Sequence, residues 1–408
     1  MSEVISSLKP AQEYENDSEL TAFDDPAAIV AAIVISIVGA VVMMTMPVLI
    51  GALADNLGFD EQQLGWLASS DLFGSFIAAI LTSFLIVRVN RHYIAIAGII
   101  TALVTNFLSA QTHDFETLIC LRVLAGVGGG VCYSLGVGCL AGSHNTARNF
   151  SLLMFALTFI GAAGLYLVPI LSGSWGVAGI YYAFCIIFTI CLIAVPKLPA
   201  FNSEATDKVA GNEFSVQIPV YLPKLCLLAA ASFYITVGSF WTYIERAGVD
   251  GGLSEELITN TLTIGTLFSL LGCVLSTWLS NRFGQSKPLI AALICMAGAM
   301  TLLAIGINPV VFIIVNFTFN VLWLFTDIYQ LGTISNLDHS GRYTALMPGA
   351  QGLAQALSPS VAGFILSQNV GYGGVMVLAA AGSFGAFAVY TFVYARLRKL
   401  TPEIADSR

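Results

Sequence analysis

Residues 26–50 read PAAIVAAIVISIVGAVVMMTMPVLI, twenty-five positions without one charged side chain. A helix of that length rises ~37 Å, more than the ~30 Å hydrocarbon core of a bilayer. Asp25 stands just before it and Pro26 opens it, an acceptor for the first free amides followed by a residue that has no amide to satisfy. A segment apolar on every face has no side to turn towards water, so it reads as a membrane span.

The rest of the chain repeats this pattern. Of its 408 residues 57% are hydrophobic and only 10% charged, and mean hydropathy is +0.84. A soluble surface needs more charge than that, so the solvent of this fold is lipid. Apolar runs between polar breaks predict helices over 26–50, 63–87, 93–111, 117–141, 150–171 and 177–195. A second set follows over 222–247, 256–280, 288–307, 310–335, 343–367 and 374–395. The expected fold is an all-α membrane protein with twelve transmembrane helices in two pseudo-symmetric six-helix bundles. Residues 1–25 form an acidic tail, 26–195 the first bundle, 196–221 a linker, 222–395 the second bundle and 396–408 a C-terminal tail. The first tail carries seven acids and one lysine, Lys9, and lacks the basic start of a secretory signal. It reads as a disordered, uncleaved extension.

With the N-terminus inside, fourteen of the sixteen Lys and Arg residues fall on the cytoplasmic side, among them Arg88, Arg91, Arg148, Lys197, Arg282, Lys287 and Arg342. The opposite loops hold Asp55, Asp60, Glu61, Asp114, Glu116, Asp250 and Glu255. This asymmetry predicts a multi-pass protein of the cell membrane, of the bacterial inner-membrane kind, with both termini cytoplasmic. Arg88 and Arg282, like Arg148 and Arg342, lie 194 positions apart, which suggests duplicated halves.

Several chemistries are excluded. The eight cysteines lie in apolar stretches without CxxC spacing and read as small buried hydrophobes, and all four histidines fall in predicted loops. No metal, cofactor, ATP use or enzymatic centre is expected. No basic stripe exists for nucleic acid. The glycines at 126 and 128–130 are not a phosphate loop, because no strand precedes them and no Lys-Ser/Thr follows. Gly126, Gly130, Ser134, Gly138 and Gly142 instead put a small residue at every fourth position, a surface for close helix approach. Pro348 and Pro359 are placed to kink the eleventh span.

A charge within hydrocarbon costs roughly 2.5–3.5 kcal/mol on insertion scales, so it faces a cavity or a partner. Arg122 shares a helical face with Gly126, Gly129 and Tyr133. It reads as a cavity-facing cation that meets an anionic solute or a carboxylate, or else as a side chain snorkelling to the outer interface. Asp327 shares a stripe with Asn316, Asn320 and Trp323. It is a candidate proton carrier, or a structural carboxylate near the inner interface. Asp71 is a second proton site or a cross-helix partner. Glu245 lies in line with Tyr234, Gly238 and Trp241. With Arg246 it forms an outer gate or marks the headgroup boundary. Gln351 and Gln355, one turn apart, suit solute hydrogen bonding or plain helix pairing.

Six plus six helices about a central linker resemble the major facilitator superfamily. Its loop signature between spans two and three reads roughly G-x-x-x-D-R-x-G-R-[RK]. Residues 280–287, SNRFGQSK, keep Arg282, Gly284 and a late Lys, with Asn281 where the Asp would be. The first-half copy, VRVNRH at 87–92, has Arg88 and Arg91 but neither the Asp nor the Gly. Residues 118–130, LICLRVLAGVGGG, resemble the fourth-span pattern of an intramembrane Arg before a glycine run. By that resemblance Arg122 takes a part in proton or substrate coupling. The fifth-span ending of drug–proton antiporters, near G-P-x-x-G-G, is not matched by GAAGLYLVPILSG at 161–173. The resemblance implies alternating access, with spans one, four, seven and ten lining a central site. The expected function is secondary transport of a small polar or anionic solute by a monomer in the lipid bilayer, coupled to H+. An exporter of amphiphilic compounds and a transporter-like solute receptor are the alternatives.

Overall fold

A computed structural model describes residues 23–86, 88–143, 145–200, 219–338 and 342–400. The expected acidic extension up to residue 22, the linker residues 201–218, the tail residues 401–408 and the side chain of Asn281 lie outside the described residues.

Asp25 caps the first helix as its sequence implies, its Oδ1 accepting from the Ala27 amide at 3.0 Å. The predicted first span is not one helix. It breaks at Thr45 (φ −97°, ψ 5°) into α1 (Pro26–Met44) and α2 (Met46–Leu57). Thr45 donates its hydroxyl back to the Val41 carbonyl at 2.8 Å, and Pro47, in the first turn of α2, has no amide with which to continue the ladder. The next helices are α3 (Glu61–Leu85), α4 (Arg91–Ser109) and α5 (Phe115–Ala141). Asp60 starts α3 with a reciprocal capping box to Gln63. Asp114 starts α5, and its bond from Thr117 holds that carboxyl below its ordinary range.

Spans five and six also depart from expectation. They run as one element, α6 (Thr146–Cys191), of 46 residues. A straight helix of that length would rise ~69 Å, twice the membrane core. The chain turns at Gly176 (φ 62°, ψ −165°), a conformation that favours glycine, so α6 makes two passes. A short 3-10 turn (Leu192–Lys197) follows. The second half comprises α7 (Tyr221–Asp250), α8 (Glu255–Phe283), α9 (Ser286–Ile305), α10 (Pro309–Leu337), α11 (Arg342–Ser367) and α12 (Tyr372–Leu400). With α1 and α2 as one pass and α6 as two, the twelve helices make twelve passes. Ten of the elements are long and apolar enough to cross a membrane by length and composition, and the described residues contain no strand.

Packing repeats between the halves. The contacts of α3 with α5 and of α4 with α6 recur as α8 with α10 and α9 with α12. The halves meet along α3–α11, α6–α8 and α2–α7. Outward faces carry large apolar side chains, including Phe84, Phe107, Ile186, Val274 and Phe364, the inverse of a water-soluble surface. Cys120 and Cys295 are exposed on this face, a correction to the expectation that all the cysteines are buried. His92 likewise sits in the first turn of α4 rather than in a loop, its Nε2 2.7 Å from the Leu198 carbonyl oxygen.

Candidate functional site

A cavity of about 380 Å³ lies between the halves at mid-depth. From the first half α1 contributes Gly39 and Met43, α3 Ser75, and α5 Tyr133 and Ser134. From the second half α7 contributes Tyr234 and Trp241, α10 Asn320, Trp323 and Asp327, and α11 Gln351 and Gln355. The i, i+3, i+4 spacing of α10 puts its three on one face, one turn above another. Asp327 receives the Tyr234 hydroxyl at 2.7 Å on Oδ2 and the Gln351 amide at 3.0 Å on Oδ1. Asn316, fully buried, stands behind the cavity against Gly265 and accepts both amide hydrogens of Asn320 at 3.0 Å. Trp241 and Trp323 face the cavity with ring centroids 6.3 Å apart, and Phe319 stacks behind Trp241. Among the described residues that line the cavity, Asp327 is the one carboxylate, and no Lys, Arg or His is present.

Arg122 lies outside this cavity, which corrects its expected placement as a cavity-facing or snorkelling side chain, while the expected carboxylate partner is present in Asp71. Arg122 is 1% exposed, so it does not snorkel, and it does not line the central cavity. Its guanidinium crosses to α3 and α4, donating to Asp71 at 3.3 Å, Asn106 at 3.1 Å and Ser109 at 2.9 Å. Tyr181 of α6 lies under it, 4.7 Å from ring centroid to guanidinium carbon. Asp71 is thus a cross-helix partner inside the first half. Tyr133, three turns along the same face of α5, does reach the cavity.

Glu245 and Arg246 lie where α7 meets α2. Arg246 pairs with Asp55 at 2.6 Å, while the Glu245 carboxylate packs on Gly51 with its Oε2 buried and without a hydrogen bond. Near them Tyr243 donates to the Glu61 carbonyl at 2.7 Å, the Ser360 amide donates to Ser69 at 3.0 Å, and Trp241 donates to the Met43 carbonyl at 3.0 Å. Together these ties join the two halves from mid-depth to the end where α2 finishes and α3 begins.

The loop-signature residues stand apart from the cavity. Arg88 is exposed, and Arg91 is buried over the Phe23 ring at 4.8 Å. Arg282 is exposed over Trp278, and Gly284 turns the α8–α9 connection at φ 70°. Sequence reasoning passed over Asn106 and Ser109, whose signal was a polar pair three residues apart in an apolar span. It also passed over Tyr181, which gave no signal.

The family profile described as Major Facilitator Superfamily matches residues 31–337. The 3-(3-hydroxy-phenyl)propionate transporter of Escherichia coli (strain K12) is 23% identical over 381 residues, 86% of this chain and 90% of the relative. The arabinose-proton symporter of Bacillus subtilis (strain 168) is 24% identical over 280 residues, 65% of this chain; the match spans only 59% of that relative's length. Among solved structures, a D-xylose-proton symporter superposes with a TM-score of 0.74 at 15% identity, over 90% of this chain and 97% of the other. A bacterial homologue of the lysosomal transporter Spinster, in an inward-facing and unoccupied conformation, gives 0.65 at 12% identity over 93% and 97%. At these identities the structural likeness is one of fold.

Proposed function

Because the chain belongs to the major facilitator superfamily, we propose that it carries a small organic solute through the central cavity by alternating access, with proton movement coupled through Asp327. The observation that carries this reading is the cavity itself: it lies between two repeated halves and takes polar groups from both. Asp327, the one carboxylate lining it among the described residues, sits among groups that can respond when a proton or a solute arrives. The hydroxyl of Tyr234 and the amide of Gln351 touch it directly. The ties from Arg246, Tyr243, Trp241 and Ser360 cross between the halves at one end, which supports a state closed there and open at the other.

On this reading the open end is cytoplasmic, both termini lie there, and the protein works as a monomer in the cell membrane. The domain limits at 26–195 and 222–395 describe the two rocking bodies. Relatives named for proton symport and for an aromatic acid support a proton-coupled organic solute. The expectation of an anion rested on Arg122, and Arg122 is committed to Asp71, Asn106 and Ser109 outside the cavity. The mainly apolar wall with two tryptophans favours the amphiphile reading as a second possibility.

Proteoliposomes with a trapped pH dye test the proposal, with arabinose, 3-phenylpropionate and tryptamine supplied in turn. One of them should drive proton flux in the wild type, and Asp327→Asn should abolish it. Flux that survives the substitution would move the proton role to Asp71 or Glu245. No flux with a broad solute panel would remove proton coupling.

A further inference from the structure

The polar groups of the central cavity are matched to a solute that donates hydrogen bonds. Resting on the transporter reading above, we propose that the cavity takes an aromatic organic cation, its ammonium group held by Asp327 and its ring against Trp241 and Trp323.

Asn320 gives both amide hydrogens to Asn316, one to the backbone carbonyl and one to Oδ1. Gln351 gives an amide hydrogen to Asp327. A backbone carbonyl and a carboxylate accept and never donate, so the nitrogens of these two amides must face them, which fixes where their oxygens lie. Gln355 directs its nitrogen to the Met43 sulfur at 3.7 Å. None of the three amide oxygens accepts a hydrogen bond in the hydrogen bonds formed among the described residues. Asp327 accepts one bond on each oxygen and keeps capacity for more. The hydroxyls of Tyr133 and Ser134 can give or accept, and so do not discriminate. The amides of Asn320 and Gln351 leave acceptor oxygen towards the cavity, and with the carboxylate of Asp327 these acceptors outnumber the indole N–H of Trp323, a donor buried there without a hydrogen bond.

The donors on Asp327 are both neutral, and among the described residues no Lys, Arg or His lines the cavity. Arg122 is engaged with Asp71 and Arg246 with Asp55. A carboxylate solute would bring a second negative charge beside Asp327 with no cation to offset it, whereas an ammonium supplies the missing countercharge. Trp241 and Trp323 offer π faces, which attract both flat rings and cations. A volume of about 380 Å³ holds a molecule of one or two rings.

The test uses three indoles of nearly equal size: tryptamine, tryptophol and indole-3-propionate. Binding to the detergent-solubilised full chain at pH 7 is measured by titration calorimetry, with empty micelles as the blank. Tryptamine should bind at least about tenfold tighter than either analogue. Asp327→Asn should erase that preference by weakening tryptamine far more than tryptophol. Equal binding of all three, no binding of any, or a preference for indole-3-propionate would overturn the proposal, and the wild-type comparison decides this without any variant. Proton flux in the proteoliposomes separates the two readings. Flux driven by indole-3-propionate keeps the transporter and removes the cation. Tryptamine binding with no flux from any solute keeps the site chemistry and removes the transporter.

Discussion

At the scale of single residues, the buried pair of Arg122 and Asp71 shows how a charge is kept in an apolar bundle. Removing one member strands the other where no water can solvate it. Arg122→Met alone is therefore expected to lower stability by about 3–5 kcal/mol, and a double substitution with Asp71→Leu to cost much less, because it leaves no orphan charge. Thermal unfolding of the purified protein in detergent, followed by size-exclusion, checks both. If the single and double variants lose equal stability, the pair is not acting as a pair. Asp327 differs in kind, because its partners Tyr234 and Gln351 are neutral and it fronts a cavity.

Among the elements, α3 and α5 lie backbone to backbone. A Cβ on Gly126 would strike the Asp71 carbonyl oxygen, and one on Gly130 would lie 2.6 Å from the Ser75 Cα. Further along, Gly138 faces the Ile86 side chain and Gly142 the Phe23 ring, so the small-residue stripe read from sequence is the contact surface of α5. The obstacles at Gly126 and Gly130 are backbone and cannot rotate away. Gly126→Ala should cost about 1–3 kcal/mol through overpacking. Gly298 in α9 has nothing within 4 Å of an added Cβ, so Gly298→Ala should be neutral or stabilise by up to about 1 kcal/mol. Melting temperatures of the two variants, measured side by side, test the contrast. The stripe was legible because its period lies within one helix. The breaks at Thr45 and Gly176 were less so, since a proline two residues on and a lone glycine do not say whether the chain bends or ends.

For the whole molecule, the question is which end of the cavity is shut. Asp55 and Arg246 sit on opposite halves, and their pair is partly exposed, with side chains 60% and 21% accessible. Pairs of that kind contribute up to about 1 kcal/mol, so Arg246→Ala should shift the balance towards opening at that end by up to about fivefold. Spin labels at Glu116 and Glu256, exposed residues of the two halves near that end, report it in a cysteine-free background. The expected outcome is a larger population at long distance in the variant. An unchanged distribution would mean that Tyr243, Trp241 and Ser360 hold the closure without the ion pair.

The sequence by itself determined the membrane class, the helical passes and the polar stripe of α10, because each is a property of local composition or of a period within one helix. Asn320, Trp323 and Asp327 could be grouped from spacing alone. Where Arg122 points was decided only by the tertiary structure. Its helical face agrees with that of Tyr133, but at its depth Asp71, Asn106 and Ser109 come from two other helices and capture a long, flexible side chain. The charge of the cavity followed from that capture: a site that the sequence furnished with a cation is left, once the helices pack, with a single carboxylate among the described residues. Contacts between helices are set by packing across hundreds of residues, and no local pattern records them.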